Sequence, residues 1–123
     1  MAKHNELGKI GEEMAVAHLQ KLGYRIRLTN YLVGKAEIDI IAEDGEFIVF
    51  VEVKTRTGAV HENPIETVTT RKRKMLIDAA DFYINDRGIE NESRFDIIAV
   101  IKNKNNTYKL EHIPDAFNGM TES

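Results

Sequence analysis

The chain has 123 residues, of which 42% are hydrophobic, and a formal net charge of −3. This size indicates a single domain, residues 1–123, and the absence of cysteine excludes disulfides and thiol chemistry. No segment approaches the roughly 18 apolar residues of a membrane span, and residues 1–13 lack the apolar core of a signal peptide, so we expect a cytoplasmic protein that does not act at a membrane. The weak acidity excludes coating of nucleic acid through overall charge, and any polyanion site must be local.

The first element is a helix, predicted over residues 5–22 from apolar positions three and four apart and ended by Gly23. Gly8 and Gly11 begin a stripe of small residues that lets another backbone approach closely. Glu12 borders this stripe. It either reaches the sheet or is a solvated carboxylate stabilised by the helix dipole. A strand over residues 24–31 follows.

Residues 37–55 predict a hairpin that carries charged residues on an otherwise apolar background. With a period of two, Glu37 and Asp39 share one side of the first strand, and Glu52 and Lys54 share one side of the second. Three carboxylates and one ammonium are therefore expected to converge on one face of the sheet.

The predicted register of this hairpin depends on its turn. Asp44-Gly45 is a strong signal for a two-residue turn. It would pair Glu37 with Glu52 and Asp39 with Phe50, so that Asp39 and Glu52 become diagonal neighbours, ~7 Å apart at the backbone.

Like charges so close on a half-buried sheet repel each other, and a divalent cation would remove the conflict. Carboxylate oxygens on rigid strands suit Mg²⁺ or Mn²⁺, whereas the chain lacks cysteine and paired histidines for zinc. The alternative is a structural one, in which Lys54 neutralises one carboxylate and the others face water.

The second half of the chain begins with a predicted loop over residues 57–68; this loop contains His61, to which we assign no role. A helix follows, capped by Thr69 or Thr70 and ending at Arg87-Gly88. A buried strand over residues 94–101 and an edge strand over residues 107–113, closed by Pro114, complete the pattern.

A cluster of basic residues accompanies the second helix. Between residues 54 and 74 there are six basic and two acidic residues, a local balance of +4. Cations oppose the dipole at a helix N-terminus, so local stability does not explain the cluster, which is either a solubilising face or a phosphate-binding surface. The candidate nucleic-acid contacts are Arg56, Arg71, Lys72, Arg73 and Lys74.

The order of elements predicts an α/β domain in which helices flank a sheet. Asp39 followed by Glu52-Val53-Lys54 resembles the PD-(D/E)XK motif of the restriction-endonuclease-like superfamily. The segments GxxGEEMA, AEIDIIA, VFVEVKTR and RFDIIAV, together with the closing HIPDAF, resemble the YraN-like family of predicted endonucleases over nearly the whole chain.

The resemblance implies a mixed central sheet flanked by helices and a metal-dependent endonuclease (a hydrolase) acting on DNA, including branched DNA. It implies that Asp39 and Glu52 bind Mg²⁺ (or Mn²⁺) and that Lys54 orients or helps to deprotonate the attacking water. Glu12 and Glu37 would complete the metal site. Similar Holliday-junction resolvases suggest a homodimer. The alternative is a catalytically silent nucleic-acid-binding or scaffolding protein that keeps the nuclease fold.

Overall fold

The computed structural model of the protein describes residues 2–58 and 63–118. Its elements are helix α1 (Ala2–Lys21), strands β1 (Arg25–Val33), β2 (Ala36–Asp44) and β3 (Phe47–Thr57), a 3-10 turn (Pro64–Thr67), helix α2 (Thr70–Arg87), and strands β4 (Glu92–Lys102) and β5 (Tyr108–Phe117). The loop predicted over residues 57–68 begins where β3 ends, at Thr57, and contains the 3-10 turn near its own end. His61 lies outside the described residues.

The five strands form one sheet in the order β1-β2-β3-β4-β5, in which β3 and β4 run parallel and the other neighbours are antiparallel. Helix α2 lies in the long connection that a parallel pair requires. Helix α1 packs Ala15 and Leu19 on one face, and α2 packs Leu76 and Tyr83 on the other. The predicted fold class is confirmed: this is a mixed sheet flanked by two helices, consistent with a restriction-endonuclease-like fold.

The ends of α2 are those predicted. The hydroxyl of Thr69 accepts the N–H of Lys72 at 3.1 Å, and Gly88 ends the helix in the left-handed conformation with φ of 61°. These two caps place the basic first turn of α2 at a defined point beside the sheet.

The predicted register of the β2–β3 hairpin is wrong by two residues. The structure pairs Asp44 with Phe47 and Ile41 with Phe50, so the two-residue turn is Gly45-Glu46. Glycine provides the positive φ of 59° at the first turn position, as a type II′ turn needs, whereas a type I′ turn at residues 44 and 45 would require positive φ at both positions. A shift of two keeps the paired residues 40–44 on their predicted faces. Ile38, however, packs under α2 together with Ile41, and Glu37 is joined through Asn30 to Glu12 of α1, so the predicted convergence of Glu37 and Glu52 on one face is wrong.

Helix α1 approaches β3 closely at Gly11. A β-carbon at this position would overlap the side-chain methyl of Thr55, whereas one at Gly8 would meet no atom within 4 Å. The small-residue stripe is therefore needed at Gly11, where it brings the next residue, Glu12, to the sheet.

Strand β5 extends beyond Pro114, contrary to the sequence prediction. Phe117 pairs with Phe95 and Ile113 pairs with Ile97, so residues 114–116 stand opposite Asp96 alone. Proline is tolerated in this irregular segment because no regular ladder hydrogen bond is needed there. No helix in the described part of the chain is long and apolar enough to cross a membrane.

Candidate metal centre and nucleic-acid interface

The candidate site lies where β2 and β3 separate. Their ladder ends at Ile40 opposite Val51, although both strands continue. Just past this last pair, the Asp39 carboxylate accepts the main-chain N–H of Val53 at 2.7 Å. Val53 stands between Glu52 and Lys54, so this hydrogen bond joins the three residues that the motif singled out.

The regular alternation of side chains breaks at Asp39. Ile38 and Ile41 both pack into the core cluster beneath α2, although three residues apart, and so do Leu28 and Tyr31 on the neighbouring strand. Asn30 lies within the matching break on β1 and has a positive φ of 54°. The break lets carboxylates from both sides of the sheet approach Asp39.

Asp39 is strongly perturbed by its surroundings. Burial, followed by the charge of Glu52, raises the pKa of Asp39 from 3.8 to about 8, with smaller contributions from Glu12 and Glu37. The hydrogen bond from Val53 opposes these effects. Four carboxyl groups are thus close enough to repel one another, as expected of a site that a cation would neutralise.

Glu52 continues the alternation of β3 on the face covered by α2, and its side chain is only 5% exposed. One oxygen, Oε2, faces two ammonium groups: Lys72 Nζ at 3.2 Å and Lys54 Nζ at 3.7 Å. Lys54 is the partner expected from the sequence. Lys72, from the first turn of α2, is the closer one and was predicted only as a nucleic-acid contact.

Asn30 connects the other two carboxylates. Its side-chain amide donates to Glu12 Oε1 at 3.0 Å and to Glu37 Oε2 at 3.1 Å. Glu12 therefore reaches the sheet, rather than standing alone near a helix terminus. Asn30 was missed by sequence reasoning, because nothing local distinguishes it from an ordinary strand asparagine.

The donor chemistry of this cluster fits a hard divalent cation such as Mg²⁺ or Mn²⁺, because the ligands would all be oxygen atoms. Within residues 2–58 and 63–118, however, no three carboxylate, imidazole or thiol groups already surround a common point. Binding would require the side chains to close in. Among these carboxylates, Glu52 has an oxygen, Oε2, that faces the ammonium groups of Lys54 and Lys72.

The predicted nucleic-acid contacts differ in their surroundings. Arg71 and Lys74 are exposed and Arg56 is half-buried. Arg73 instead donates to the carbonyls of Val68 and Ile65 at 2.8 and 2.7 Å, and its guanidinium lies over the ring of Phe117. Its charge serves to hold the 3-10 turn against α2.

A second charged cluster lies under α1. Asp96 is fully buried and accepts hydrogen bonds from Arg94 Nε at 3.0 Å and from the main-chain N–H of Asp115 at 3.0 Å, and its Oδ2 lies 2.8 Å from His112 Nε2. Burial opposes ionisation, yet these partners hold the pKa of Asp96 below its usual value. Tyr24 also contacts Asp96, and burial raises the pKa of Tyr24 to about 12.

Asp39, which is half-buried, and the buried Asp96 therefore have opposite character. Asp96 is saturated with donors and is a structural element of the core. Asp39 has one main-chain donor and three neighbouring carboxylates. Of these two aspartates, Asp39 is the one that lies in a cluster with more carboxyl groups than cationic partners, an arrangement that a bound cation would neutralise.

Comparison with known proteins gives a consistent family assignment. Residues 11–100 match the model of the uncharacterised protein family UPF0102. The chain is 48% identical over 117 residues to a UPF0102 protein of Christiangramia forsetii, an alignment that covers 95% of this chain and 98% of the relative. The UPF0102 protein FP2501 of Flavobacterium psychrophilum is 46% identical at the same coverage, and a UPF0102 protein of Bacteroides thetaiotaomicron is 45% identical, covering 95% and 96%. The chain belongs to the uncharacterised protein family UPF0102.

Proposed function

We propose that this protein is a divalent-metal-dependent nuclease that hydrolyses phosphodiester bonds in DNA, and that branched or otherwise structured DNA is among its substrates. The observation that carries the proposal is the hydrogen bond from Val53 to Asp39, which sets a half-buried carboxylate beside Glu52 and Lys54. The resemblance to the YraN-like predicted endonucleases adds the reaction class.

Asp39 and Glu52 would hold Mg²⁺ or Mn²⁺, with Glu12 and Glu37 at the side facing α1. A divalent ion bound there supplies positive charge that stabilises the anion developing at phosphorus. The Lys54 ammonium, 3.7 Å from Glu52 Oε2, is positioned to orient the attacking water and to donate hydrogen bonds to a phosphate oxygen. Arg56, Arg71 and Lys74 would contact the DNA backbone near this centre.

The test is cleavage of branched, nicked, single-stranded and plain duplex DNA in Mg²⁺, in Mn²⁺ and with a chelator. We expect cleavage that depends on the metal and is lost in Asp39→Asn, a variant of nearly the same shape that cannot carry the charge. Cleavage at the wild-type rate by Asp39→Asn would overturn the assignment.

A second candidate is a DNA-binding protein that keeps the nuclease fold without catalysis. It is favoured by the pairing of Glu52 with two lysines and by the lack of a ready-formed ligand set in the described residues. Binding that weakens with salt, without cleavage in any metal, would support this candidate.

A further inference from the structure

Glu52 meets its two ammonium groups in different ways. Lys54 lies two residues along the same strand, so its backbone moves only with the sheet. The side chain of Lys54 is 27% exposed. Lys72 belongs to α2, its side chain is 43% exposed, and its ammonium is the nearer of the two to Oε2. Lys72 is thus the partner that can withdraw towards solvent without any change in the fold.

The position of Lys72 also matters because it is the positive charge of α2 that reaches the carboxylate cluster. Thr69 caps the helix at the main-chain N–H of Lys72, which holds the base of this side chain in place. Among the described basic residues of this turn, Arg71 and Lys74 are exposed, and Arg73 is bonded to the 3-10 turn.

We infer that Lys72 is an exchangeable counter-ion of the centre: it neutralises Glu52 when no divalent cation is bound and must leave Glu52 before that cation can bind. This inference rests on the proposed metal centre. Its physical basis is that one oxygen cannot hold a cation at bonding distance and keep an ammonium at 3.2 Å without strong repulsion between the two positive charges. The displaced ammonium would remain beside the centre, where a phosphate could take it up.

The experiment measures Mn²⁺ affinity by isothermal titration calorimetry for the wild type and three variants. Lys72→Met removes the competing charge and keeps most of the stem, so it should bind Mn²⁺ roughly fivefold more tightly. Lys72→Arg keeps a cation beside Glu52 and should bind no more tightly than the wild type. Lys74→Met makes the same change at an exposed position of the same helix and should leave the affinity unchanged.

A second readout is thermal stability with a chelator and with saturating Mn²⁺. Lys72→Met should have a lower Tm than the wild type in the chelator, and the difference should shrink when Mn²⁺ is bound, because the ion replaces the lost ammonium. Lys74→Met should show no such dependence on the metal.

The outcomes separate this inference from the proposed function. Tighter Mn²⁺ binding by Lys72→Met, without cleavage of any DNA, supports the exchange and contradicts the nuclease. Unchanged or weaker binding by Lys72→Met, with metal-dependent cleavage in the wild type, overturns the exchange and leaves the nuclease standing. If neither wild type nor Lys72→Met binds Mn²⁺, both are overturned.

Discussion

The main-chain N–H of Val53 donates to the carboxylate of Asp39 at 2.7 Å, just beyond the point where strands β2 and β3 stop pairing. This bond ties the aspartate of one strand to the Glu52-Val53-Lys54 segment of the next. The position of Asp39 is consequently set by the backbone and does not depend on a bound ion.

Lys54 should be needed for cleavage and not for DNA binding. In Lys54→Ala we expect kcat to fall by roughly 10²–10⁴-fold, the usual range for a residue that assists proton transfer, because the positioned ammonium beside Glu52 is lost. DNA affinity, measured by fluorescence anisotropy in Ca²⁺, should change little because the proposed contacts to the DNA backbone belong mainly to other basic residues. Lys104→Ala, at an exposed position between β4 and β5, should retain cleavage, and a Lys54→Ala protein that cleaves normally would remove Lys54 from the proposed mechanism.

Gly11 should be intolerant of a side chain. Gly11→Ala places a methyl group into the side chain of Thr55, so α1 must shift, and we expect a loss of about 1–3 kcal/mol in the free energy of unfolding by urea denaturation. Gly8→Ala, with no atom within 4 Å of the new carbon, should gain up to about 1 kcal/mol from helix propensity. Equal effects of the two changes would show that α1 does not need its close approach to β3.

Asp96 should stabilise the fold in a manner that depends on pH. Its folded pKa lies below the ordinary value of 3.8, so its contribution is fully present above about pH 5 and is lost as the pH falls through the folded pKa. Asp96→Asn should therefore destabilise the protein by about 3 kcal/mol at neutral pH, and by less in acid. Urea unfolding at several pH values measures this difference.

The matched control for Asp96 is Asp78→Asn, at an exposed position of α2. It should change stability by less than about 0.5 kcal/mol across the same pH range. A stability difference for Asp96→Asn that stays constant into acid would mean that the charge of Asp96 is not what the hydrogen-bond network stabilises.

Arg73 should act on stability more than its neighbours do. Arg73→Met removes the donors to the carbonyls of Ile65 and Val68, and we expect a loss of about 2 kcal/mol in thermal or urea unfolding. Arg71→Met, at an exposed position two residues earlier, should be nearly neutral for stability and should weaken DNA binding instead. The reverse order of effects would place Arg73 in the DNA interface.

The sequence was informative about the hairpin because strand periodicity is local. Strand parity and the expected turn put Asp39, Glu52 and Lys54 within reach of one another despite an error of two residues in the register, but they did not predict the break at Asp39 that separates Glu37 from Glu52. The register itself followed from the turn, where Asp44 was expected to be a turn residue. In the structure Asp44 ends its strand and pairs with Arg94 at 2.9 Å, a distant contact that no local pattern reveals.

What the sequence missed depends on contacts between distant segments. Asn30 bridges Glu12 and Glu37 only because β1 and α1 meet, and Lys72 reaches Glu52 only because α2 packs on the sheet. The surroundings of Asp96 are likewise non-local. Its near-continuous apolar strand predicted burial, but not the arginine, histidine and main-chain donors that make burial of a charge possible.

The two lysines that face Glu52 belong to different elements, β3 and α2, and this has a consequence for the order of folding. Asp39, Glu52 and Lys54 belong to one hairpin, so their charges are brought together by a short loop closure, whereas Lys72 arrives only when α2 docks. Until α2 docks, the carboxylates of the hairpin therefore outnumber its one nearby ammonium, that of Lys54. Substitution of Asp39 by a neutral residue should therefore accelerate refolding in a chelator, and stopped-flow kinetics would measure this change in rate.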